Sequence, residues 1–299
     1  MAAMSDRRER GTGRSPVPLL TRRRRVLVAR SLQGFLIGFV MLVLFGPLIV
    51  LAVFSFNDSM ILSLPLKGFT TDWYSKAFAD SSLMESLVNS IKVAAVVTPV
   101  CVTLGLLSGM GLTRFRYRGR GAIAGFIGLP LVLPWLVIGI GGLIFFSQLN
   151  VRLSLLTAGA MHVVVAFPLV TALVSAQLMR LDPALEEAGL DLGATRRVTL
   201  RLIVLPLLVP TLVASTIFVF SWSFNNFVVS FFTLGFENTF PIWVFSSLRK
   251  ARALPVVNAI STLVSIVQVV VVWGAWRMLR RQAERSGQDF REILGGGGA

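Results

Sequence analysis

Charged residues and cysteine are both scarce in this sequence. Only 14% of its 299 residues are charged and 55% are hydrophobic, whereas about a quarter of residues are charged in ordinary soluble domains. This composition excludes a typical soluble fold and indicates a polytopic membrane protein. Cys101 is the one cysteine, which excludes an intrachain disulfide and a cysteine-based metal site. Because it lies in an apolar run, we expect Cys101 to behave as a small buried hydrophobe.

Motifs of soluble enzymes are also missing. The chain has no G-x-x-x-x-G-K-[ST] phosphate loop, so any ATP must be hydrolysed by another chain. The one histidine, His162, has no Cys, Asp or Glu nearby in the sequence, which leaves no metal-ligand set and no catalytic triad. We expect His162 to be buried and hydrogen-bonded to a neighbouring helix. The sequence predicts no enzyme activity, no metal site and no cofactor bound by this chain.

The sequence contains six long apolar runs. Each is close to or above the roughly 20 residues that a helix needs to cross the hydrocarbon core. The first run is too long for a cleavable signal peptide and has no clear cleavage site after it. We therefore expect a transmembrane domain over residues 32–280, between a disordered basic tail over residues 1–31 and a C-terminal tail over residues 281–299. The six predicted spans are residues 32–54, 87–112, 122–146, 153–179, 202–227 and 256–278.

The net charge of +15 is distributed unevenly among the segments between these runs. The N-terminal tail, the segments 114–120 and 180–201, and the C-terminal residues from Arg277 onward hold 22 of the 29 Lys and Arg residues. By the positive-inside bias, both termini and these segments are predicted to be cytoplasmic. Arginines alternate with aromatic residues in 114–120, but so short a segment is better explained as a topology anchor on lipid phosphates than as a nucleic-acid site. The expected surroundings are a lipid bilayer and no nucleic acid.

The segment 180–201, here called the polar loop, separates two apolar runs. Asp182 followed by Pro183 is typical of a helix start. Gly193 can end that helix in a left-handed conformation, and Thr195 can cap a second one. Such an element is too polar to face lipid and too small to be a domain, so it suits a docking surface for another protein. An ordinary solvated loop is the alternative.

The spacing of residues in and after the polar loop resembles the EAA loop of bacterial ABC-importer permeases. Glu187-Ala188 is followed by Gly193 and then by Ile203-Val204-Leu205-Pro206 at that family's offsets. Gly189 replaces the second Ala, a departure expected to loosen the first helix while keeping the spacing. In that family the loop plugs into the ATPase subunit. The resemblance therefore implies that ATPase coupling involves Glu186, Glu187, Ala188, Gly189, Asp191, Gly193, Ala194 and Pro206.

Longer stretches resemble the second membrane subunit of spermidine/putrescine permeases. They are residues 68–74, 89–94, 114–119, 223–230 and 255–259. The resemblance implies an all-α, six-helix, MetI-like ABC-importer permease fold in a bacterial inner membrane. It also implies a second, homologous permease subunit, two ATPase subunits that hold ATP and magnesium, and an external substrate-binding protein or lipoprotein. The first hypothesis is thus an import permease that works by alternating access.

The cargo is less well specified. Polyamine-carrying relatives typically have acidic residues where this chain has Asn225-Asn226, and no Asp or Glu lies in any of the six runs. Ring faces, amide carbonyls and carboxylates at the mouth would then recognise a cation, although packing or helix-end roles compete for the Trp and Asn residues. Other organic solutes, such as amino-phosphonates, opines or amino-acid-like compounds, remain alternative cargoes. A stand-alone secondary transporter and a transport-inactive scaffold are alternative functions. The candidate path residues are Asp58, Trp135, Trp222, Phe224, Asn225, Asn226 and Glu237.

Overall fold

Helices form all the regular elements of the described chain. The computed structural model describes residues 19–285 apart from residues 62, 251 and 252. A π-helical segment, Leu200–Val204, joins α8 to α9, and one isolated antiparallel bridge pairs Asn57 with Phe69. The helices are α1 (Leu19–Phe54), α2 (Asp72–Ala79), α3 (Ser81–Arg114), α4 (Arg120–Val132), α5 (Trp135–Gln148), α6 (Leu155–Arg180), α7 (Pro183–Asp191), α8 (Arg196–Thr199), α9 (Leu205–Phe224), α10 (Val228–Thr233), α11 (Phe240–Leu248) and α12 (Leu254–Arg285).

The chain divides into two units, Met1–Val53 and Phe54–Ala299. In the first unit, the apolar part of α1 gives a candidate span, Arg30–Phe54, of 25 residues. The helix itself begins at Leu19, so residues 19–31 are helical instead of belonging to the disordered tail that we expected. Once a helix has formed, each further residue adds a hydrogen bond, and Arg and Leu are good helix formers. Residues 1–18 of the predicted tail lie outside the described residues.

Four long helices of the second unit correspond to predicted spans. Their candidate spanning parts are Ser81–Arg114, Leu155–Arg180, Arg196–Phe224 and Leu254–Met278. The predicted fifth span ended at residue 227, but α9 ends three residues earlier, where Asn225 and Asn226 form a turn. α12 continues to Arg285, into the predicted C-terminal tail, and residues 286–299 lie outside the described chain.

The third predicted span, residues 122–146, is not one straight helix. It consists of α4 and α5, which meet at an angle of 104°. Pro134 has no N–H for the helical ladder and disfavours helical geometry in the residue before it. Leu133 accordingly has ψ 137° and Pro134 has ψ 132°, both outside the helical region. Pro134 therefore separates two helices within the segment that we predicted as one span.

The main core lies between α3, α6 and α9. Two glycines of α3 allow α6 to approach closely: a Cβ on Gly105 would lie 2.5 Å from the Val170 side chain, and one on Gly109 would lie 2.8 Å from Val174. Small residues of this kind are how membrane helices bring their backbones together. The buried core residues are Val93, Val97, Cys101, Ala166, Val170, Val174, Leu178, Val204, Leu208 and Val219. Cys101 is thus a buried core residue, as expected.

A second core joins α2, α11 and α12 to α3 and α9. It lies around the first turns of α3, at the end of the unit opposite the polar loop. Its buried members are Ala77, Leu83, Ala94, Phe224, Phe240, Trp243, Val257 and Ile260. The two cores hold the helices of the second unit at both ends of α3.

The contact between α3 and α6 can be tested with two glycines of the same helix. Gly105→Ala adds a methyl group where Val170 already lies, so we expect it to lower the free energy of unfolding by about 1–3 kcal/mol. The measurement is the midpoint of thermal unfolding of the purified chain in detergent.

Gly111→Ala is the matched control, because a Cβ on Gly111 would meet no atom within 4 Å. Alanine is also the better helix former, so this variant is expected to match or exceed the wild-type midpoint. Equal midpoints for the two variants would contradict the proposed role of Gly105.

Candidate functional site

The first helix of the polar loop, α7, begins and ends where the sequence predicted. At its start, the Asp182 carboxylate accepts a hydrogen bond from the Ala184 N–H at 2.9 Å, and Pro183 occupies the first turn. At its end, Gly193 has φ 83°. The N–H groups of Gly193 and Ala194 donate to the carbonyls of Leu190 and Gly189 at 2.9 and 3.1 Å. This pattern is a Schellman motif.

Gly189, the departure from the EAA pattern, is the point where α7 meets the segment after it. It is buried, and a Cβ there would lie 2.8 Å from Ile203 Cδ1 and 3.4 Å from Thr199 Oγ1. The glycine therefore permits close packing of α7 on α8 and the π-helical segment. α7 runs without interruption through Gly189 to Asp191, and the loosening that we expected from this glycine stays a prediction.

An ion pair connects the polar loop to α3. Arg114 Nη2 lies 2.5 Å from Glu186 Oε1, and both side chains are about three-quarters buried. Segment 114–120 was predicted to bind lipid phosphates, but Arg114 is turned towards the loop. No local pattern predicts this pair, since 72 positions separate the two residues.

The rest of α7 presents a mixed acidic and apolar surface. Glu187, Ala188 and Asp191 are exposed. Leu192, next to the end of the helix, is 90% exposed. Leu190, two residues earlier, is 41% exposed, and adjoining exposed apolar side chains rimmed by polar ones are a feature of protein interaction surfaces. Glu186 and Glu187 thus differ in role: the first is held by Arg114, and the second faces outward.

Pro206 lies just after the π-helical segment, near the start of α9. Proline cannot donate to the carbonyl four residues earlier, and π-helical geometry is one way in which a membrane helix accommodates that loss. Pro206 therefore shapes the connection between the polar loop and α9, and its own side chain is not on the exposed surface of α7.

A cluster of rings and hydroxyls, here called the Trp222 cluster, lies where α5, α6, α9 and α10 meet. The rings of Trp135 and Trp222 are 5.7 Å apart, edge to face, and the His162 ring lies 5.4 Å from Trp222. His162 Nδ1 is 2.9 Å from Ser223 Oγ, and its Nε2 is 2.9 Å from Ser230 Oγ. The prediction of a buried, hydrogen-bonded histidine is confirmed. The histidine joins the two helices on either side of the Asn225-Asn226 turn.

The two asparagines of this turn have different surroundings. Asn226 is buried, and its Oδ1 accepts a hydrogen bond from the Val229 N–H at 3.0 Å, which caps the start of α10. Asn225 is exposed, and its Nδ2 donates to the Ser221 carbonyl at 2.8 Å. Of the pair, only Asn225 is presented to the surface of the described chain.

The other candidate path residues are not gathered at one place. Phe224 is buried in the second core, with its ring 5.8 Å from that of Phe240. Glu237 accepts a hydrogen bond from the Leu155 N–H at 2.8 Å, at the start of α6. Asp58 is exposed, and no described contact joins its side chain to the other six candidates. Trp135, Trp222 and Asn225 are therefore the candidates that best suit a path.

Known permease proteins are similar to this chain over most of its length. The chain is 30% identical over 269 residues to the putrescine transport system permease protein PotI of Escherichia coli K12, covering 87% of this chain and 94% of that protein. It is 29% identical over 266 residues to the spermidine/putrescine permease PotC of the same organism, covering 89% and 100%.

Solved structures show the same fold. A bacterial ABC transporter that imports alginate contains a chain with a TM-score of 0.68 at 17% identity, covering 88% of this chain and 98% of that one. A chain of the MetNI methionine ABC transporter gives a TM-score of 0.52 at 19% identity, covering 68% and 98%. Residues 101–279 match the family described as the inner membrane component of binding-protein-dependent transport systems. The chain therefore belongs to this family, the permease subunits of ABC importers.

Proposed function

We propose that this chain is the permease subunit of an ABC importer for polyamines such as putrescine and spermidine. The observation that carries the cargo assignment is its similarity, at 30% and 29% identity over nearly the whole chain, to putrescine and spermidine/putrescine permeases. In this proposal it assembles with a second, homologous permease subunit, two ATPase subunits that hold ATP and magnesium, and an external substrate-binding protein. Both termini and the polar loop lie on the cytoplasmic side.

The exposed surface of α7 is the proposed ATPase contact. Glu187 and Asp191 offer charge, while Leu192 offers an apolar side chain that a docked protein would remove from water. Burying a leucine of this exposure contributes about 1.5–3 kcal/mol. The Arg114–Glu186 ion pair keeps Glu186 out of the contact and fixes the side of α7 that faces the ATPase.

The same contacts make α7 a stiff lever. α7 follows α6 after two residues. Its Glu186 is paired with Arg114, the last residue of α3, and its Gly189 packs on the segment that leads into α9. A force applied to α7 therefore acts on α3, α6 and α9 together. ATPase closure would move these helices as a group, as alternating access requires.

The proposed path for the cargo passes Trp135, Trp222 and Asn225. Trp135 is 47% exposed and stands edge to face against Trp222, so these rings present aromatic surface to a passing cation. Cation–π contacts contribute about 0.5–2 kcal/mol each, depending on how dry the site is. Each amine of a polyamine could thus be held weakly and in succession.

The role of the ion pair predicts a specific pattern of non-additivity. Arg114→Gln and Glu186→Gln should each lower the free energy of unfolding, and the double variant should be no less stable than the worse single one. The expected coupling is about 1 kcal/mol, since the pair is only partly buried. Thermal unfolding of the four proteins measures it.

Glu187→Gln is the matched control for this cycle, because it removes a neighbouring carboxylate that is exposed. Its effect should add to that of Arg114→Gln. Full additivity of Arg114→Gln and Glu186→Gln would show that the ion pair does not stabilise the loop.

The docking surface predicts loss of the ATPase on substitution of Leu192. Leu192→Asp, or Glu187→Lys, should reduce co-purification of the ATPase subunits at least about ten-fold, because each loses roughly 1.4 kcal/mol or more of contact. Phe236→Asp is the control, since Phe236 is 96% exposed but lies between α10 and α11, outside the polar loop. Undiminished ATPase recovery with Leu192→Asp would place the contact elsewhere.

The cargo is tested by uptake into cells that lack other polyamine importers and express this chain with its partner subunits. Radiolabelled putrescine and spermidine should accumulate, and an excess of unlabelled amino acids or phosphonates should not compete. Asn225→Asp should lower the KM for spermidine about five-fold, because a charge pair near 4 Å in water contributes about 1 kcal/mol.

Asn226→Asp is the control for this prediction. Its side chain is buried and caps α10, so the substitution should reduce the amount of folded protein without improving the KM. An unchanged KM in Asn225→Asp would remove that residue from the path. Absence of uptake in the wild type, with all subunits present, would favour another cargo or a transport-inactive scaffold.

A further inference from the structure

Lys92 carries an isolated positive charge on a spanning helix. It is an exposed residue of α3, and among the described residues no carboxylate lies within ion-pair distance of it. The six apolar runs that we identified contain no Asp or Glu. An ammonium on a membrane helix is costly unless it reaches the interface or finds a counter-charge. Glu85, two turns nearer the start of α3, makes no ion pair with Lys92 among the described residues, so no side chain of the six runs and no described carboxylate balances this charge.

The position of Lys92 along α3 corresponds to the level of the lipid headgroups. α3 has 34 residues, which makes it about 51 Å long, well over the roughly 30 Å of the hydrocarbon core. Arg114, paired with Glu186 in the polar loop, marks one boundary of the membrane. About 20 residues cross the core, and counting back from Leu112 reaches Val93. Lys92 therefore lies at the opposite boundary.

An apolar groove of about 580 Å³ begins at Lys92 and runs between α3 and α6. On α3, Val96 and Val100 follow Lys92 at intervals of four residues and so share its face. On α6, the groove starts at the first turn, which begins at Leu155. Its remaining lining residues are Val93, Val97, Leu156, Gly159, Ala160 and Val163. The groove thus descends from the headgroup level towards the middle of the bilayer, with its only charge at the upper end.

We propose that this groove binds an anionic phospholipid from the leaflet opposite the polar loop. The phosphate pairs with the Lys92 ammonium, and one acyl chain lies along the valines of α3 and the small residues of α6. The lipid phosphate would lie at the end of the groove that carries the Lys92 cation. Its acyl chain would lie below, along the apolar wall. A protein partner would instead have to supply a carboxylate at this depth and a narrow apolar ridge below it.

The site is tested on the full-length chain, purified from membranes into nanodiscs that contain equal amounts of phosphatidylglycerol and phosphatidylcholine. Native mass spectrometry counts the lipids that remain bound. The wild type should retain phosphatidylglycerol in preference to phosphatidylcholine. Lys92→Gln should lower the retained phosphatidylglycerol about five-fold, the effect of one basic residue at a membrane surface. Lys92→Arg should preserve retention.

Ala160→Leu tests the groove without changing charge. Ala160 is exposed, so the larger side chain can be accommodated in the fold while it occupies the space of the acyl chain, and retention should fall. Lys67→Gln is the matched control, because it removes an exposed lysine that does not line the groove. Wild-type retention in both Lys92→Gln and Ala160→Leu would overturn the proposal. So would loss of a co-purifying permease subunit from Lys92→Gln with lipid retention unchanged, since Lys92 would then pair with a protein carboxylate.

Discussion

The close contact between α3 and α6 governs the geometry of the second unit. Gly105 and Gly109 allow the Val170 and Val174 side chains to lie almost on the α3 backbone, and this contact fixes how far apart the two helices are at the polar-loop end. α6 leads into α7 within two residues, and α3 ends at Arg114. Helix packing inside the membrane thereby places Arg114 against Glu186. The orientation of the polar loop is thus decided by two glycines in the bilayer as well as by the loop's own sequence.

Hydrocarbon offers no hydrogen bonds, and this explains where the helices are interrupted. The break between α9 and α10 is possible because Asn226 caps the second helix and His162 binds a serine on each side. Thr157 Oγ1 also donates to the Thr233 carbonyl, at 2.7 Å, near the end of α10. Irregular backbone at membrane depth is tolerated only with such partners or beside an aqueous cavity. The Trp222 cluster, next to this break and to the start of α5, is consequently where irregular backbone and aromatic surface meet.

Local sequence rules predicted the polar loop well and the membrane interior less well. Asp182, Pro183, Gly193 and Thr195 act through neighbours within a few positions, so their capping roles could be predicted without a fold. Chemistry alone also predicted that His162 would need a partner. By contrast, the Arg114–Glu186 pair and the packing of Gly189 on Ile203 depend on how distant helices meet, which no local pattern specifies.

The turn between α9 and α10 illustrates the same limit. Adjacent positions in a turn can face opposite ways, and sequence alone grouped Phe224, Asn225 and Asn226 as equal candidates. The fold separates them: two are turned into the protein, and Asn225 is exposed. The break at Pro134 was not predicted within the span 122–146, because a proline in a membrane helix can produce either a kink or a complete break, and the local sequence does not decide between them.

A path without carboxylates has a consequence for the proposed cargo. A transport site must bind well enough to admit the cargo and weakly enough to release it. Ring faces and amides satisfy this for a polyamine, because several contacts of about 1 kcal/mol each are broken one at a time, whereas a buried carboxylate would hold one amine strongly. Tight capture would then fall to the external binding protein, where release can be driven by docking. The work of the ATPase, applied through α7 to α3, α6 and α9, would be spent on moving helices, and little of it would be needed to extract the cation from the membrane path.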